Sequence, residues 1–375
     1  RGKLLLPVAA QVAPTQVVRE NENNVWPDLI RWPIQPGGMA LPCQQRQKQL
    51  EDAAADGVRE IHLASINGPL ASTPSKRAQS MKRLTLARRP RGGQPAMRVA
   101  AVQMKFVPTV AGNLAKIEAA LAAAAQRRAD AVLFPECATT GYNCDFTQLA
   151  WPEVRAALKH VGQLAARHDI NVLLGSPVCR RGRWQNCLVV FDRKGSVVHC
   201  YAKCQLTERD RRFFVPGNSI ALFKLDGVRC TAIICHERRY PELVRLAVMA
   251  GARVVFHPNA GLDALAVSRR KRGGRDGIAV RAFENAVFYV FANSVGPQGD
   301  DLWSAGDSKV VAPDSRVLAL ADNRSEQVIL ADLDLAQATG KYAADSLAHP
   351  RFLSAEWKRM LRKVRAQARH NATLE

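Results

Sequence analysis

Three residues of this chain sit where a side chain could do chemistry. Residues 231–246 read TAIICHERRYPELVRL: an apolar run stops at Cys235, and His236, Glu237, Arg238 and Arg239 follow before an apolar helical pattern resumes. A thiol reacts as the thiolate, and a strand-to-helix turn favours that form. Unpaired N–H groups there point at the sulfur or at an oxyanion formed beside it. By itself a cysteine at a strand end is more often an inert small hydrophobe, so other residues must strengthen the reading. Glu136, in LFPECATTGY, closes a second apolar run. A carboxylate buried at a strand end has a raised pKa and suits a general base; a helix cap or a salt bridge would also place a Glu there. Lys203, in YAKCQL, closes a third run. An ammonium on a rigid strand end can stabilise an anion, although most such lysines simply reach solvent.

The elements that would position these groups begin at Met97. MRVAAVQM (97–104) reads as a strand and 111–130, rich in Ala and Leu at helical spacing, as a helix. Strand 131–136 ends at Glu136. Helix 154–169 leads to strand 170–178, and strands 186–192 and 196–203 flank the turn Arg193-Lys194-Gly195. Strands 219–225 and 228–235 flank Asp226-Gly227, a hairpin turn signal. Pro241 suits the first position of the next helix and Gly251 its C-terminal cap. Strands at 252–258, 287–295, 308–313, 316–321 and 326–334 complete the pattern. Helices alternate with strands early and hairpins dominate later, so the class is α/β with mixed sheets. DAVLFPE and ARVVFHPN echo each other, each a strand after a helix. Two sheets related by internal pseudo-symmetry would bring both strand ends to one cleft.

Residues 1–96 read differently: basic, rich in small residues and Pro, with helical spacing only at 47–64. We expect a largely disordered basic extension, and the functional protein to start at Met97, with Met81 as the second choice, because the chain opens with Arg. With 375 residues, 47% hydrophobic, the remainder can bury a large core, and no apolar run reaches bilayer length. Nine cysteines at irregular spacing, without a CxxC pair, point away from a disulfide framework or a structural zinc site and towards a reducing, cytoplasmic setting. The net charge of +21 includes the runs RRKRGGR (269–275) and WKRMLRKVRAQARH (357–370). Neither interleaves the aromatics that stack bases, so solvated basic loops and a basic tail are expected, not a specific nucleic-acid site.

Taken together and in this chain order, the FPE glutamate, the Y-x-K lysine and the C-x-[DE]-x-R-x-P-E cysteine resemble the nitrilase superfamily of carbon–nitrogen hydrolases. The resemblance spans roughly residues 97–340. It includes RAFENAVFYVFANSVG (281–296), similar to the family's R-A-x-E-N strand and following Asn, and SAGDSKVVAPDSRVLA (304–319), similar to its S-x-G-x-S…P-x-G hairpin. The resemblance implies a four-layer αββα sandwich that is at least a dimer, needing neither cofactor nor metal. It makes Cys235 the nucleophile on an amide or carbamoyl carbon and Glu136 the base. Lys203, with the His236 N–H, would hold the oxyanion. The family's second glutamate, before F-x-P-G, falls on Asp210 in LTERDRRFFVPGN, one methylene shorter; Glu208 substitutes if the loop shifts.

CHERRYPE looks most like the N-carbamoyl-D-amino acid hydrolase branch, where two arginines hold the substrate carboxylate. Arg238 is the informative one, since Arg239 is common to much of the superfamily and could be structural, paired with Glu242 or another acid. Against that branch, Glu208 stands where it has a histidine, and the interval from Lys203 to Asp210 is short. A nitrile hydrolase usually has Trp where His236 stands. His257 and Asn259, in FHPNAG, are further candidates to line the substrate space. From other classes come a catalytically idle fold binding RNA or other polyanions, and a redox-sensing thiol protein.

Overall fold

The computed structural model of the chain describes residues 96–270, 277–299 and 301–368. The expected extension, 1–96, lies outside them apart from Ala96, as does most of the basic run at 269–275. All described residues fall within the unit Leu86–Glu375. The chain runs β1 (Ala96–Gln103), α1 (Val110–Gln126), β2 (Ala131–Leu133), α2 (Trp151–His168), β3 (Asn171–Arg180), β4 (Arg183–Phe191) and β5 (Val197–Ala202). Next come β6 (Phe223–Leu225), β7 (Val228–Ala232), α3 (Pro241–Met249), β8 (Val254–Asn259), β9 (Asp263–Ala264), α4 (Leu265–Arg270) and α5 (Ile278–Asn285). The remainder is β10 (Phe288–Asn293), β11 (Val295–Pro297), β12 (Leu302–Ala305), β13 (Lys309–Val311), β14 (Val317–Leu320), β15 (Gln327–Asp334), α6 (Lys341–Ala348) and α7 (Arg351–Gln367).

Two six-stranded sheets result, in the orders β15-β1-β2-β3-β4-β5 and β14-β13-β10-β8-β7-β6. In the first, β15 and β1 are antiparallel, β1, β2 and β3 parallel, and β3, β4 and β5 antiparallel. Read from β6, the second sheet repeats that series: antiparallel to β7, parallel through β8 and β10, antiparallel through β13 and β14. The repeat sets β8 opposite β2, which is what the echo of DAVLFPE and ARVVFHPN predicts.

Period-two alternation fixes the layers. In β1, Ala100 and Val102 face the core beneath α1 and α2, whereas Val99 and Ala101 face the core between the sheets. A third core lies between the second sheet and α3, α5, α6 and α7. Helix, sheet, sheet and helix thus stack as four layers. Strands buried on both faces explain the near-continuous apolar runs. In α1, Val110, Asn113, Ile117, Leu121 and Ala124 form the buried stripe, and Thr109 caps the helix by accepting the Gly112 N–H at 3.1 Å.

The structure corrects three local readings. Residues 281–285, RAFEN, expected in a strand, close helix α5, whose buried positions Ile278, Ala282 and Asn285 follow helical spacing. The basic tail is helix α7 as far as Gln367; Leu361 and Val364 are buried against the third core while its basic side chains face out. A three-stranded sheet, β11-β12-β9, was not expected from strands of two to four residues. Among the described residues, no helix is long and apolar enough to cross a membrane.

Candidate active site

Glu136 follows β2, Lys203 follows β5 and Cys235 follows β7. The carboxylate meets the ammonium directly: Lys203 Nζ lies 2.7 Å from Glu136 Oε1 and 2.7 Å from Asp210 Oδ2. All three side chains are fully buried, so this is a cation shared by two carboxylates away from water. Asn186 of β4 fixes two partners at once. Its Nδ2 donates to Glu136 Oε1 at 2.8 Å, and its carbonyl accepts the Lys203 N–H at 2.8 Å. The tip of β8 completes the cradle, Ala260 N–H donating to Glu136 Oε2 at 3.1 Å. The facing ends of β2 and β8 therefore meet at the carboxylate.

Backbone approach sets this geometry. A Cβ on Gly175 of β3 would lie 2.1 Å from Pro135 O and 2.7 Å from Glu136 Cα, so glycine lets the Pro-Glu segment lie against the strand. Past Lys203, a Cβ on Gly217 would lie 2.2 Å from Ala202 O, and the Gly217 N–H binds Lys203 O at 2.9 Å.

Asp210 is the acid on Lys203; Glu208 is exposed. The loop closes on Asp210 through the Thr207 N–H and hydroxyl, which donate to Oδ2 at 2.9 and 2.8 Å, and Tyr142, whose hydroxyl donates to Oδ1 at 2.8 Å. Burial pushes the Asp210 carboxyl up, but Lys203, Thr207 and Tyr142 outweigh it and hold the group below the usual range. In Glu136 burial prevails: desolvation raises its pKa, Lys203 pulls it partly back, and the charge of Asp210 adds to the rise. Burial disfavours the Lys203 cation, yet Glu136 and its neighbours hold it well above its ordinary value. The pair of acids divides into one firmly ionised group and one poised to take a proton.

Cys235 retains exposure and opens a turn of 3₁₀-helix, Cys235–Arg239, between β7 and α3. Its φ of 51° is left-handed, a conformation a non-glycine residue keeps only where its surroundings enforce it. His257 supplies part of that enforcement. Expected to line the substrate space, its ring is instead buried behind the nucleophile; Nε2 donates to Cys235 O at 3.1 Å, and Nδ1 accepts the Tyr289 hydroxyl at 3.0 Å. The thiol also departs from expectation. Burial and the charge of Glu136 push its pKa up to about 12, against the pull of Lys203 and Arg238. At rest it is a thiol, and a base must take its proton.

His236 is half-buried, its ring against Tyr240 with centroids 5.7 Å apart. Its N–H stands at the start of the turn, where helical N–H groups have no acceptor of their own. Arg238 is half-buried with Nη1 3.5 Å from Cys235 O and, like the exposed Arg239, makes no ion pair among the described residues; the pairing of Arg239 with Glu242 is not formed. Asn259 is buried at the tip of β8, its Nδ2 donating to Asn293 Oδ1 at 2.8 Å. Sequence reasoning missed Asn186, Tyr142 and Thr207. Their types and spacing carry no signal until Glu136, Lys203 and Asp210 are assembled. Glu237 was visible in the motif but was given no part. Among the described residues, no group of three or more His, Cys, Asp or Glu side chains is placed to hold a metal ion.

Known proteins resemble this chain in sequence and fold. The family model described as Carbon-nitrogen hydrolase matches residues 98–341. A 2-oxoglutaramate amidase of Bacillus subtilis is 29% identical over 216 residues, 56% of this chain and 81% of its own. An (R)-stereoselective amidase of Pseudomonas sp. is 32% identical over 210 residues, 56% of this chain and 74% of its own. Among solved structures, an amidase of Nesterenkonia sp. AN1 from the nitrilase superfamily superposes with a TM-score of 0.61 at 26% identity, covering 72% of this chain and 98% of that one. A mutant of it carries the acetamide moiety of fluoroacetamide covalently on its active site cysteine, again with a TM-score of 0.61.

Proposed function

Since the chain belongs to the carbon–nitrogen hydrolase family of the nitrilase superfamily, we propose that it cleaves a small linear amide or N-carbamoyl compound through an acyl-enzyme on Cys235. Glu136 takes the thiol proton as Sγ attacks the carbonyl carbon. The carbonyl electrons become an oxyanion held by Lys203 Nζ and the His236 N–H. As that intermediate collapses, the C–N bond breaks and Glu136 hands the proton to the departing nitrogen, which leaves as ammonia or an amine. Glu136 then deprotonates a water that attacks the thioester; the C–S bond breaks, the acid leaves, and the sulfur is reprotonated.

The observation that carries this reading is the cation shared by Glu136 and Asp210 within electrostatic reach of the half-exposed Cys235. The raised pKa of Glu136 suits a group that must accept and return a proton. Arg238, free of carboxylate partners among the described residues and set against the Cys235 turn, is suited to clamp a substrate carboxylate, as the R-R pair suggests. Among the relatives, the name 2-oxoglutaramate amidase belongs to an enzyme of an amide that also bears a carboxylate.

The test is ammonia release over N-carbamoyl amino acids, ω-amides, aliphatic amides including butyramide, and nitriles, with wild type and Cys235→Ala. Turnover of an amide or carbamoyl compound by wild type and none by the folded variant is expected. Equal rates from both would remove Cys235 as nucleophile.

A further inference from the structure

Glu237, two residues beyond the nucleophile, is fully buried, and every group that touches its carboxylate is a donor. Oε2 accepts the Ile234 N–H at 2.7 Å. Oε1 accepts the N–H groups of Cys204 and Gln205 at 2.7 and 3.1 Å. The Tyr201 hydroxyl donates to both oxygens, at 2.9 and 3.1 Å. The three backbone N–H groups can only donate, and the carboxylate accepts all of them together with the Tyr201 hydroxyl. Burial raises the group's pKa, and the backbone N–H groups and Lys203 offset only part of that rise.

The donors have two origins. Ile234 immediately precedes Cys235, whereas Tyr201, Cys204 and Gln205 bracket Lys203. The first lies at the end of β7 and the others at the end of β5, strands of different sheets with no ladder between them. Capping its own turn, as in a capping box, is only half of what Glu237 does. The same carboxylate ties the nucleophile turn to the loop that carries the ammonium.

We propose that Glu237 is a positioning residue that sets the separation of Cys235 from Lys203, so that it governs formation of the tetrahedral adduct and leaves binding of the intact amide alone. The inference rests on the acyl-enzyme reading above. Glu237→Gln keeps the volume but presents an NH₂ to N–H donors, so at least one donor loses its acceptor and the two segments part. Glu237→Asp keeps the charge yet cannot reach both sides. Tyr201→Phe removes one donor from the Lys203 side.

Butyramide serves as substrate and butyraldehyde as probe of the adduct. Sγ adds to the aldehyde carbon, and the resulting oxygen occupies the position of the oxyanion. Rates are expressed per intact site, counted from carbamidomethylated Cys235 peptide after complete alkylation of the folded fraction. Glu237→Gln should lower kcat/KM about 100-fold and weaken butyraldehyde inhibition by a similar factor, with KM within about threefold of wild type. Glu237→Asp should fall less, and Tyr201→Phe about fivefold in both measures. Lowered Tm with per-site kcat/KM and aldehyde inhibition unchanged overturns the proposal; if the Glu237 variants do not fold, an unchanged Tyr201→Phe does so alone. Wild type silent over the whole amide panel removes the acyl-enzyme reading and this inference with it, whereas active wild type with unaltered variants removes only this inference.

Discussion

The two sheets repeat one series of strand directions, yet they present their chemical groups differently. The first sheet delivers Glu136 and Lys203 from just past strand ends, each fully buried and each tied to Asn186 of β4. The second delivers Cys235 from a left-handed residue in a 3₁₀ turn that His257 and Glu237 hold from behind. Acid and ammonium are rigid because they are inside the fold; the nucleophile is held by polar contacts because it must meet solvent. The lesson is a division of labour. The buried charges of Glu136 and Lys203 stand just past the ends of buried strands, and the atom that must reach substrate belongs to a strained turn.

The rigid side should break hardest. Lys203→Met leaves Glu136 and Asp210 buried without their cation. Unfolding measurements should show a loss of about 3–5 kcal/mol, and activity should vanish. A stable, active Lys203→Met protein would mean the ion cluster is not what organises the first sheet's contribution. Glu136→Gln keeps the shape but not the base, and should lower kcat/KM by about 10²–10⁴. A smaller loss would shift proton transfer to another group.

Asp210→Asn sharpens the comparison through pH. Glu136 acts ionised, so kcat/KM should rise as pH climbs through its pKa, which burial places above the ordinary glutamate value of about 4.3. Removing the charge of Asp210 removes one cause of that elevation, so the acid limb should move to lower pH, with kcat down about tenfold as Lys203 loses an anchor. A limb that stays in place would assign it to a different group. The smallest effect is expected on the solvent side of the turn: Arg238→Ala should raise KM for carboxylate-bearing substrates about tenfold, spare neutral amides, and leave stability within about 0.5 kcal/mol. Equal losses on both substrate kinds would make Arg238 a support for the turn.

What could be read from sequence follows the same division. Buried strands leave apolar runs, so those that include β2, β5 and β7 were visible, and with them Glu136, Lys203 and Cys235 at their ends. Asp210 could be located by counting back from Pro216. The turn at Cys235 was not legible: nothing in CHERR announces a positive φ, and counting N–H groups left out burial and the charge of Glu136, which push the thiol's pKa up. RAFEN reads as strand through its likeness to the family's R-A-x-E-N motif, not from its own spacing, and Arg281 and Glu284 pair across one helical turn at 2.6 Å. The role of His257 was hidden for a simpler reason. Its ring turns to the back of the nucleophile, a direction spacing along the chain does not encode.

Partitioning between water and hydroxylamine tests the covalent step most directly. Butyramide and N-methylbutyramide pass through the same butyryl-Cys235 if the account holds, so both should give one ratio of butyrohydroxamate to butyrate, and Cys235→Ala should form neither product. A ratio that changes with the leaving group, or hydroxamate formed without Cys235, would contradict it.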